Sequence, residues 1–364
     1  MNDKQSHILK IALIEFGESH DECLLSQAKA LYGNDLKVYL YCSASLWERN
    51  PAIQKYIIEH IEIKNDSSWR SQINLALFLR KTLLKNKINK LVFNTAQGAL
   101  VRNLCLISPK KIEIIGILHT IKKLKNSFTQ KIISLKIKKY LVLNQSLLNN
   151  LKTSSKINIG VFYPLEYSLG KQTLLKEKNK TWIVIPGEVQ QRRKDLLGSV
   201  EMMKEACQKN KNLLFIFLGR NDPNWQETKK FIALLNKENI YNNCMFFNEF
   251  IDNDLFMSFV QKADFLWPMV HPNTESANEY FVNQISGTIN LSFSLKIPLL
   301  IHQDYSSWED FNSSGILYTK SNFSSKLNSG VEQRDFIINK MKNCSNFSKD
   351  KQLSKYLNFI KSSD

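Results

Sequence analysis

Short apolar runs alternate with helical stretches along most of this chain, and this alternation constrains the fold more than any other feature. The runs are rich in Val, Ile and Leu, which is typical of strands covered on both faces. Such strands, when helices separate them, form parallel βαβ units. The first set of runs lies at Ile8–Phe16, Leu36–Cys42, His60–Lys64, Lys90–Asn94, Lys111–Leu118 and Tyr140–Asn144. The first part of the chain is therefore predicted to be one parallel α/β domain.

The alternation stops at 163–180, where the sequence becomes polar and Lys-rich, and then it starts again. The second set of runs lies at Trp182–Pro186, Asn212–Leu218, Cys244–Asn248, Asp264–Pro268 and Pro298–His302. We therefore predict an α/β fold with two doubly wound, Rossmann-like domains that face each other across a cleft, followed by a C-terminal helical tail. The predicted boundaries are 1–165 for the first domain, 166–180 for a linker, 181–323 for the second domain and 324–364 for the tail.

The charge of the chain indicates an anionic partner. The sequence has 50 Lys+Arg against 33 Asp+Glu, a formal net charge of +17, which attracts phosphorylated ligands, acidic lipid or nucleic acid. Seven of the lysines fall within 121–139, where apolar residues recur at helical spacing. This segment is predicted to be a basic amphipathic helix, which either contacts an anionic membrane surface or covers its own sheet. Only Phe128 supplies an aromatic ring there, so a nucleic-acid partner is not expected.

Several classes of protein are not expected from this sequence. No apolar run approaches the roughly 18 residues that a membrane-spanning helix needs, and no signal peptide is evident at the start. The six cysteines lie far apart, without the spacing of a zinc site or a disulfide framework. We expect a cytoplasmic protein without a metal or a cofactor, and a peripheral position on the inner face of the cell membrane if 121–139 binds lipid.

Two motifs are candidates for binding a diphosphate. Ser286-Gly287-Thr288 opens a predicted helix, and the free N–H groups and positive dipole at such a start attract phosphate. An ordinary helix cap is the alternative. Gly187 follows a predicted strand and precedes Arg193 and Lys194, two cations that can neutralise a leaving phosphate. A solvated charge cluster at a helix entrance is the alternative there.

The remaining candidates also follow predicted strands. Those expected to bind a nucleotide base or ribose are Gly219, Arg220, Glu249, Phe250 and Ile251. Those expected to contact a sugar lie in the polar loop 268–279 and are His271, Glu275 and Glu279. In the first domain Glu18, His20 and His119 are candidates for accepting a proton from an attacking hydroxyl. Helix capping and a structural histidine are the alternatives for this last group.

Residues 182–305 resemble the nucleotide-sugar-binding domain of the GT-B glycosyltransferases, specifically the family 4-like group. The matching motifs are Pro186-Gly187, Arg193-Lys194-Asp195, Phe215–Arg220, Phe246–Ile251, Ala263–Pro268 and Ser286-Gly287-Thr288 leading to Lys296–Ile301. The resemblance implies transfer of a sugar from a nucleoside diphosphate sugar to a hydroxyl acceptor, without a metal. It also implies a role in bacterial surface polysaccharide, lipopolysaccharide or glycolipid synthesis, with a glycan or glycolipid acceptor entering on the side of the first domain.

The sequence departs from that group at one motif. Asn283 and Leu291 stand where the group commonly has two glutamates eight positions apart, and Glu275 or Glu279 is the substitute candidate. Two alternatives to an active glycosyltransferase therefore stay open. One is a non-catalytic partner or carbohydrate-binding subunit with this fold, and the other is a nucleotide-sugar 2-epimerase.

Overall fold

The chain folds into two α/β units, each built on one parallel sheet. The structure is a computed structural model that describes residues 8–33, 35–64, 68–151, 157–222 and 224–362. Unit 1 comprises 1–166 together with 349–364, and unit 2 comprises 167–348. The predicted fold class of two Rossmann-like α/β domains is confirmed.

Unit 1 is built on a seven-stranded sheet. Its elements in chain order are β1 (Leu9–Ile14), α1 (Glu22–Leu31), β2 (Leu36–Cys42), α2 (Ala44–Arg49), α3 (Pro51–Gln54), β3 (Glu59–Glu62), α4 (Trp69–Lys85), β4 (Lys90–Phe93), α5 (Ala99–Ile107), β5 (Glu113–Leu118), α6 (Lys122–Asn126), α7 (Phe128–Lys136), β6 (Lys139–Val142), α8 (Gln145–Asn149) and β7 (Asn158–Val161). The first six strands agree with the predicted runs, and β7 is an additional strand at the edge of the sheet.

Unit 2 is built on a six-stranded sheet. Its elements are β8 (Thr181–Pro186), α9 (Leu196–Lys209), β9 (Leu213–Arg220), α10 (Gln226–Lys237), β10 (Cys244–Phe247), α11 (Asn253–Lys262), β11 (Phe265–Leu266), α12 (Gly287–Leu295), β12 (Leu299–His302), β13 (Gly315–Tyr318), α13 (Phe323–Glu332) and α14 (Arg334–Asn343). Five strands agree with the predicted runs, and β13 is an additional edge strand.

The two sheets have the same strand order. It is β3-β2-β1-β4-β5-β6-β7 in unit 1 and β10-β9-β8-β11-β12-β13 in unit 2, and every pair of neighbours is parallel. In each unit the chain therefore starts at a strand near the centre of the sheet and adds strands toward one edge. It then returns to the centre and adds strands toward the other edge. The reversal lies between β1 and β4 in unit 1 and between β8 and β11 in unit 2.

The last helix, α15 (Lys349–Lys361), belongs to unit 1, far in sequence from the rest of that unit. Its Tyr356 is fully buried, and the hydroxyl donates to Gln27 Oε1 at 3.1 Å. The tail predicted at 324–364 is thus helical, but α13 and α14 lie in unit 2 whereas α15 lies in unit 1.

Two buried lysines hold the C-terminal end of α15. Lys90 Nζ donates to the carbonyl oxygen of Ile360, and Lys139 Nζ donates to that of Ser362, each at 2.6 Å. Both ammonium groups also pair with Glu113, at 2.7 and 3.1 Å. Because the last carbonyl groups of a helix are unpaired and carry negative dipole charge, cations there stabilise the helix.

The segment 121–139 is not one amphipathic helix, because the chain breaks at Ser127. The Ser127 hydroxyl accepts from the Gln130 N–H at 3.3 Å and so caps α7 after α6 has ended. Phe128 and Leu135 are 78% and 75% exposed, whereas Ile121 and Ile133 are buried. Among the described residues, no helix combines the length and apolar character required to cross a membrane.

Candidate functional site

The reversal of winding marks a candidate site in each unit. In open parallel sheets, ligands bind beyond the carboxyl ends of the strands at the point where the strand order reverses. In unit 1 the relevant loops follow β1 and β4, and in unit 2 they follow β8 and β11. The side chains at these two positions differ in how much of their hydrogen-bonding capacity is already used.

Unit 1 has a pocket of about 360 Å³ at its reversal point. Its lining residues come from the loops after β1 and β4 and from the first turns of three helices: Glu15, Phe16, Gly17, Ser19, His20, Gln72, Thr95, Gln97, Gly98, Ala99, Leu100 and Lys123. The predicted residue His20 is among them. Glu18 is not, since its side chain lies on the exposed surface, where Ser45 and Arg49 bind it.

Glu15 supplies a buried carboxylate to this pocket. The residue is 2% exposed, and its oxygens accept from Gly17 N at 2.7 Å, Asn94 Nδ2 at 2.7 Å and Thr95 Oγ1 at 2.6 Å. Burial raises the pKa of Glu15, although the three hydrogen bonds act in the opposite direction. Our reading of the sequence missed this residue. The signal available there was a charged residue within an apolar run predicted to be a buried strand.

His119 lies at the same end of the sheet with one ring nitrogen in use. Its Nε2 is 2.8 Å from the carbonyl oxygen of Asn94, which can only accept, so Nε2 carries the proton and Nδ1 has a lone pair. Burial lowers the pKa of His119 to about 4, with the nearby His20 acting in the same direction. The ring is therefore neutral at pH 7, and Nδ1 can accept a proton or a hydrogen bond.

His20 stacks on His119, with ring centroids 3.8 Å apart and ring planes 28° apart. Its backbone is in the left-handed region, at φ 67°, which is a strained position for a residue with a side chain. Burial opposes a charge on His20, but Glu22, 3.5 Å from Nδ1, outweighs it and the pKa of His20 is raised. The pair is thus a neutral imidazole beside one that readily becomes charged.

His20, Glu22 and His119 also place possible metal-ligand atoms within 4.8 Å of one another. A metal ion requires the lone pairs of its ligands to point at one centre. The two stacked imidazole rings are close to parallel, so lone pairs in their planes do not converge on a nearby point. The arrangement fits an imidazolium–carboxylate pair better than a metal centre.

In unit 2 two glycines let the loop after β8 pack against the end of β9. Gly187 has φ 88°, and a Cβ built on Gly219 would lie 2.4 Å from the Gly187 backbone. Lys194 lies beside this contact, is 7% exposed, and donates from Nζ to the Glu188 carbonyl oxygen at 3.0 Å. Burial lowers the pKa of Lys194 to about 8, and the charge of exposed Arg193 contributes. A buried ammonium of this kind is stabilised by any anion that binds next to it.

Helix α12 begins at the carboxyl edge of the unit 2 sheet, because it leads back to the start of β12. Ser286 precedes the helix without making a side-chain cap. Gly287 is exposed, and a Cβ built there would meet no atom within 4 Å. Thr288 is 5% exposed. The predicted diphosphate position is thus the unobstructed start of a helix.

His271 has a different role from the predicted contact with a sugar. It is fully buried, and both ring nitrogens are occupied: Nδ1 is 2.9 Å from Asp195 Oδ2, and Nε2 is 2.6 Å from the Tyr318 hydroxyl. Trp267 Nε1 donates to the same hydroxyl at 2.7 Å. A consistent proton assignment runs from Trp267 through Tyr318 and His271 to Asp195, which leaves none of these atoms for a ligand.

Asp195 anchors this network to the loop after β8. Its Oδ1 accepts from Gly198 N at 3.0 Å, which caps α9, and Lys320 Nζ lies 3.3 Å from Oδ2. Burial would raise the pKa of Asp195, but hydrogen bonding to His271 and the charge of Lys320 outweigh it, so the pKa is lowered. Near the reversal point of unit 2 these buried groups therefore satisfy one another's hydrogen bonds.

The other predicted residues of unit 2 are mostly exposed. Glu275 is exposed, and Glu279 is half-buried at the start of a π-helical turn, Glu279–Asn283. Arg220 is the exposed last residue of β9 and pairs with Asp222 at 2.7 Å. After β10, Glu249 is exposed, Phe250 is 85% exposed and Ile251 is 8% exposed. Arg220 and Phe250 thus present a cation and a ring at neighbouring strand ends.

No family model and no curated protein matches this chain. Solved structures do. A glycosyltransferase from Rickettsia africae has a TM-score of 0.70 at 15% identity and covers 98% of this chain and 100% of its own. A mutant of S. aureus TarM in complex with fondaparinux, α-GlcNAc-glycerol and UDP has a TM-score of 0.65 at 12% identity, covering 97% and 100%.

A structure of UDP-GlcNAc 2-epimerase from Neisseria meningitidis bound to UDP-GlcNAc is also similar, with a TM-score of 0.60 at 12% identity and coverage of 97% and 98%. At sequence identities of 12% and 15%, the similarity to these structures shows the fold alone. The chain has the two-unit α/β fold of the GT-B glycosyltransferases that the resemblance in its second half predicts.

Proposed function

We propose that this protein is a glycosyltransferase that moves a sugar from a nucleoside diphosphate sugar to a hydroxyl acceptor. The observation that carries the proposal is the start of α12 at the carboxyl edge of the unit 2 sheet, where Gly287 leaves open space at a helix N-terminus that no side chain of Ser286 caps. The fold supports it, because the chain matches glycosyltransferase structures over nearly its whole length. The TarM complex contains UDP.

The donor is assigned to unit 2. The diphosphate binds at the backbone of 286–288, and Lys194 and Arg193 balance the charge that develops on the leaving group. Burial of Lys194 strengthens this effect, since an ammonium in a poorly solvated position interacts more strongly with an anion. Phe250 and Arg220 contact the base and ribose. Glu275 or Glu279 contacts the sugar hydroxyls.

The acceptor is assigned to the pocket of unit 1. Glu15 lines this pocket with a carboxylate, and His119, which stacks on the lining residue His20, has a neutral Nδ1. Either group can take the proton of an attacking hydroxyl. The acceptor is a glycan or glycolipid of bacterial surface polysaccharide or lipopolysaccharide synthesis. This activity is placed in the cytoplasm, at the inner face of the membrane, with 121–139 as one contact to anionic lipid. No metal or cofactor is part of the proposal.

Thermal unfolding with UDP, GDP, CMP and ADP tests the donor site. A ligand at 100 times its dissociation constant stabilises the fold by about 2.7 kcal/mol, so one nucleotide should shift the midpoint more than the others. The shift should be lost in Arg193→Ala/Lys194→Ala. The matched control is Lys229→Ala/Lys230→Ala, which removes the same charge from the exposed side of α10. Equal small shifts in all three proteins would indicate general attraction to a cationic surface and contradict the proposal.

A nucleotide-sugar 2-epimerase is the second candidate, because the epimerase from Neisseria meningitidis has the same fold over 97% of this chain. The two activities differ in what they need. An epimerase interconverts or releases the sugar nucleotide without an acceptor, whereas a transferase releases nucleoside diphosphate faster when an acceptor is present. A non-catalytic subunit would bind acceptor or partner with no turnover under either condition.

A further inference from the structure

Helix α4 has an apolar row on its outer side that the packing of unit 1 does not use. Trp69, Ile73 and Leu77 are 66%, 42% and 51% exposed. They recur every fourth residue, so they lie on one side of the helix. The side that covers the sheet consists of other residues, namely Leu75, Ala76, Leu79 and Leu83, which are buried. The outer side of a surface helix is normally polar.

Helix α10 in unit 2 shows how an ordinary outer helix is built in the same protein. Its buried side holds Thr228, Phe231 and Leu235. Its exposed side is polar and carries Gln226, Glu227, Lys229 and Lys230. In this helix, all of which the structure describes, no large apolar side chain is exposed. An exposed apolar row like the one on α4 is therefore not a general feature of the outer helices of this chain.

The neighbouring helices extend the apolar surface. α4, α5 and α7 connect successive strands on one side of the unit 1 sheet, since right-handed crossovers place them there, and they pack side by side. Leu106 on α5 is 65% exposed, and Phe128 and Leu135 on α7 are 78% and 75% exposed. We call the outer side of these three helices the α4 face. Clusters of exposed apolar residues mark places where a protein meets a partner.

The charge of the α4 face selects the partner. Arg70, Arg80, Lys81 and Lys131 are exposed on it, and the sequence contains no Asp or Glu from Ser68 to Ile112 or from Lys122 to Lys136. A second copy of this chain would bring these cations against each other, which is repulsive. Nucleic acid would use the cations and the ring of Trp69, but not the aliphatic side chains of Ile73 and Leu77. An anionic bilayer uses both, because its headgroups attract cations and its interface accepts Trp and Leu side chains.

We propose that the α4 face docks unit 1 on a bilayer that contains anionic lipid. The apolar row enters the interface, where Trp rings are favoured, and the surrounding cations pair with lipid headgroups. This rests on the proposed function, which already assigns a membrane contact to 121–139, and extends that contact, because α7 is only the edge of a surface whose centre is α4. It also has a consequence for the pocket, since Gln72 of α4 and Lys123 of α6 line it. Docking brings the pocket of unit 1 close to groups carried on the bilayer surface.

Flotation with vesicles tests the proposal on the full-length protein. The wild type should bind vesicles of phosphatidylcholine mixed with phosphatidylglycerol and should not bind vesicles of phosphatidylcholine alone. Trp69→Ser/Ile73→Ser/Leu77→Ser should weaken binding about tenfold or more, because about 25 cal/mol is lost for each Å² of apolar surface that no longer enters the interface. The thermal midpoint should stay within a few degrees, since the three side chains are exposed. The control Lys229→Glu/Lys230→Glu changes four charge units on α10 and should bind like the wild type.

Three results would overturn the proposal. One is the absence of binding to anionic vesicles. Another is that the serine variant binds as well as the wild type while salt abolishes wild-type binding. Net charge alone would then explain the binding to vesicles. The third is a wild-type dimer in solution that the serine variant dissociates, which would make the α4 face an interface between copies. Thermal stabilisation by nucleotide is measured on the same proteins. It tests the donor site of the proposed glycosyltransferase, whereas flotation tests membrane docking, so either proposal can fail without the other.

Discussion

The two units share one strand order, yet the reversal points of their sheets are used differently. In unit 1 this point is a pocket that the buried Glu15 lines, and His119, which stacks on the lining residue His20, uses one ring nitrogen. In unit 2 Asp195, His271 and Tyr318 form a buried hydrogen-bonded network near this point, and His271 uses both ring nitrogens. Each position has a carboxylate and a histidine, so residue type does not distinguish them. The two positions differ instead in the hydrogen-bonding capacity that their side chains have left.

This difference separates groups that hold the fold from groups that can act on a ligand. A buried network in which every atom has a partner stabilises a single arrangement of loops. A histidine with a free lone pair beside a pocket can exchange a proton. Substitutions in the Asp195–His271–Tyr318 network of unit 2 should therefore change stability, whereas substitution of His119 in unit 1 should change rate. Four experiments test that contrast, from the largest expected effect to the smallest.

Asp195→Ala should lower the free energy of unfolding by about 3–5 kcal/mol, because it removes the buried partner of His271 and Lys320 and the cap of α9. Urea unfolding at pH 7 measures the loss. The lowered pKa of Asp195 means that the carboxylate stabilises the fold above its ordinary pKa of 3.8 and that this contribution falls as the pH drops below that value. The gap between variant and wild type should therefore narrow in acid.

The control is Asp304→Ala. Asp304 also faces a histidine, at 3.4 Å from His302, but its side chain is 41% exposed. An exposed pair of this kind contributes about 0–1 kcal/mol. Equal losses in the two variants would show that burial of the unit 2 network is not what makes it important, and the contrast between the units would lose its basis.

His119→Gln should reduce the rate of nucleoside diphosphate release in the presence of acceptor by about 10²–10⁴-fold, because glutamine cannot take the proton of an attacking hydroxyl at neutral pH. Stabilisation by nucleotide should be unchanged, since the donor is assigned to unit 2. The matched control is His60→Gln in the same unit, where Nε2 likewise contacts a carbonyl oxygen, that of Cys42 at 3.2 Å. A large loss of stability with an unaffected rate would assign His119 to the scaffold.

The fold was largely predictable because its strands are long apolar runs with a regular alternation. The two strands that escaped prediction, β7 and β13, are edge strands of four residues each. Their short sequences, NIGV and GILY, contain a glycine and are too brief to show a period. The break in 121–139 depends on Ser127 acting as a cap, which competes with a good helical pattern on both sides.

The candidate sites were predictable only in part. Strand ends drew attention to the loops with Gly187, Lys194 and His119, but burial cannot be read from a loop sequence. His271 sits in a polar loop and is nevertheless fully buried, because Tyr318 from β13 covers one side of its ring and that strand was not predicted. Glu15 shows the opposite case, since a charged residue inside an apolar run was taken as part of a strand.

Lys194 gives a prediction that depends on pH. Its pKa is lowered to about 8 in the free protein, and a bound diphosphate favours the charged ammonium and raises that pKa. Binding therefore takes up a proton above pH 8, so nucleotide affinity should fall by up to about tenfold per pH unit there. Titration at pH 7 to 10 with the nucleotide that stabilises the wild type measures this. Lys194→Met should bind more weakly at pH 7 and show a flatter profile, and an unchanged slope would place the titrating group elsewhere.

Gly287→Ala is the smallest change and the most specific one. A Cβ at this position meets no atom within 4 Å, and alanine is favoured over glycine in a helix, so stability should change by less than about 1 kcal/mol. If a diphosphate approaches the start of α12, the new methyl group lies in its path and nucleotide affinity should fall severalfold.

Gly219→Ala is the matched control for that experiment. Its Cβ would clash with the Gly187 backbone at 2.4 Å, so it should cost about 1–3 kcal/mol of stability through strain. A loss of affinity in Gly287→Ala without loss of stability separates a binding position from a packing position within one unit. Unchanged affinity in that variant would move the diphosphate away from α12 and leave the buried Lys194 as the main anion-binding group of unit 2.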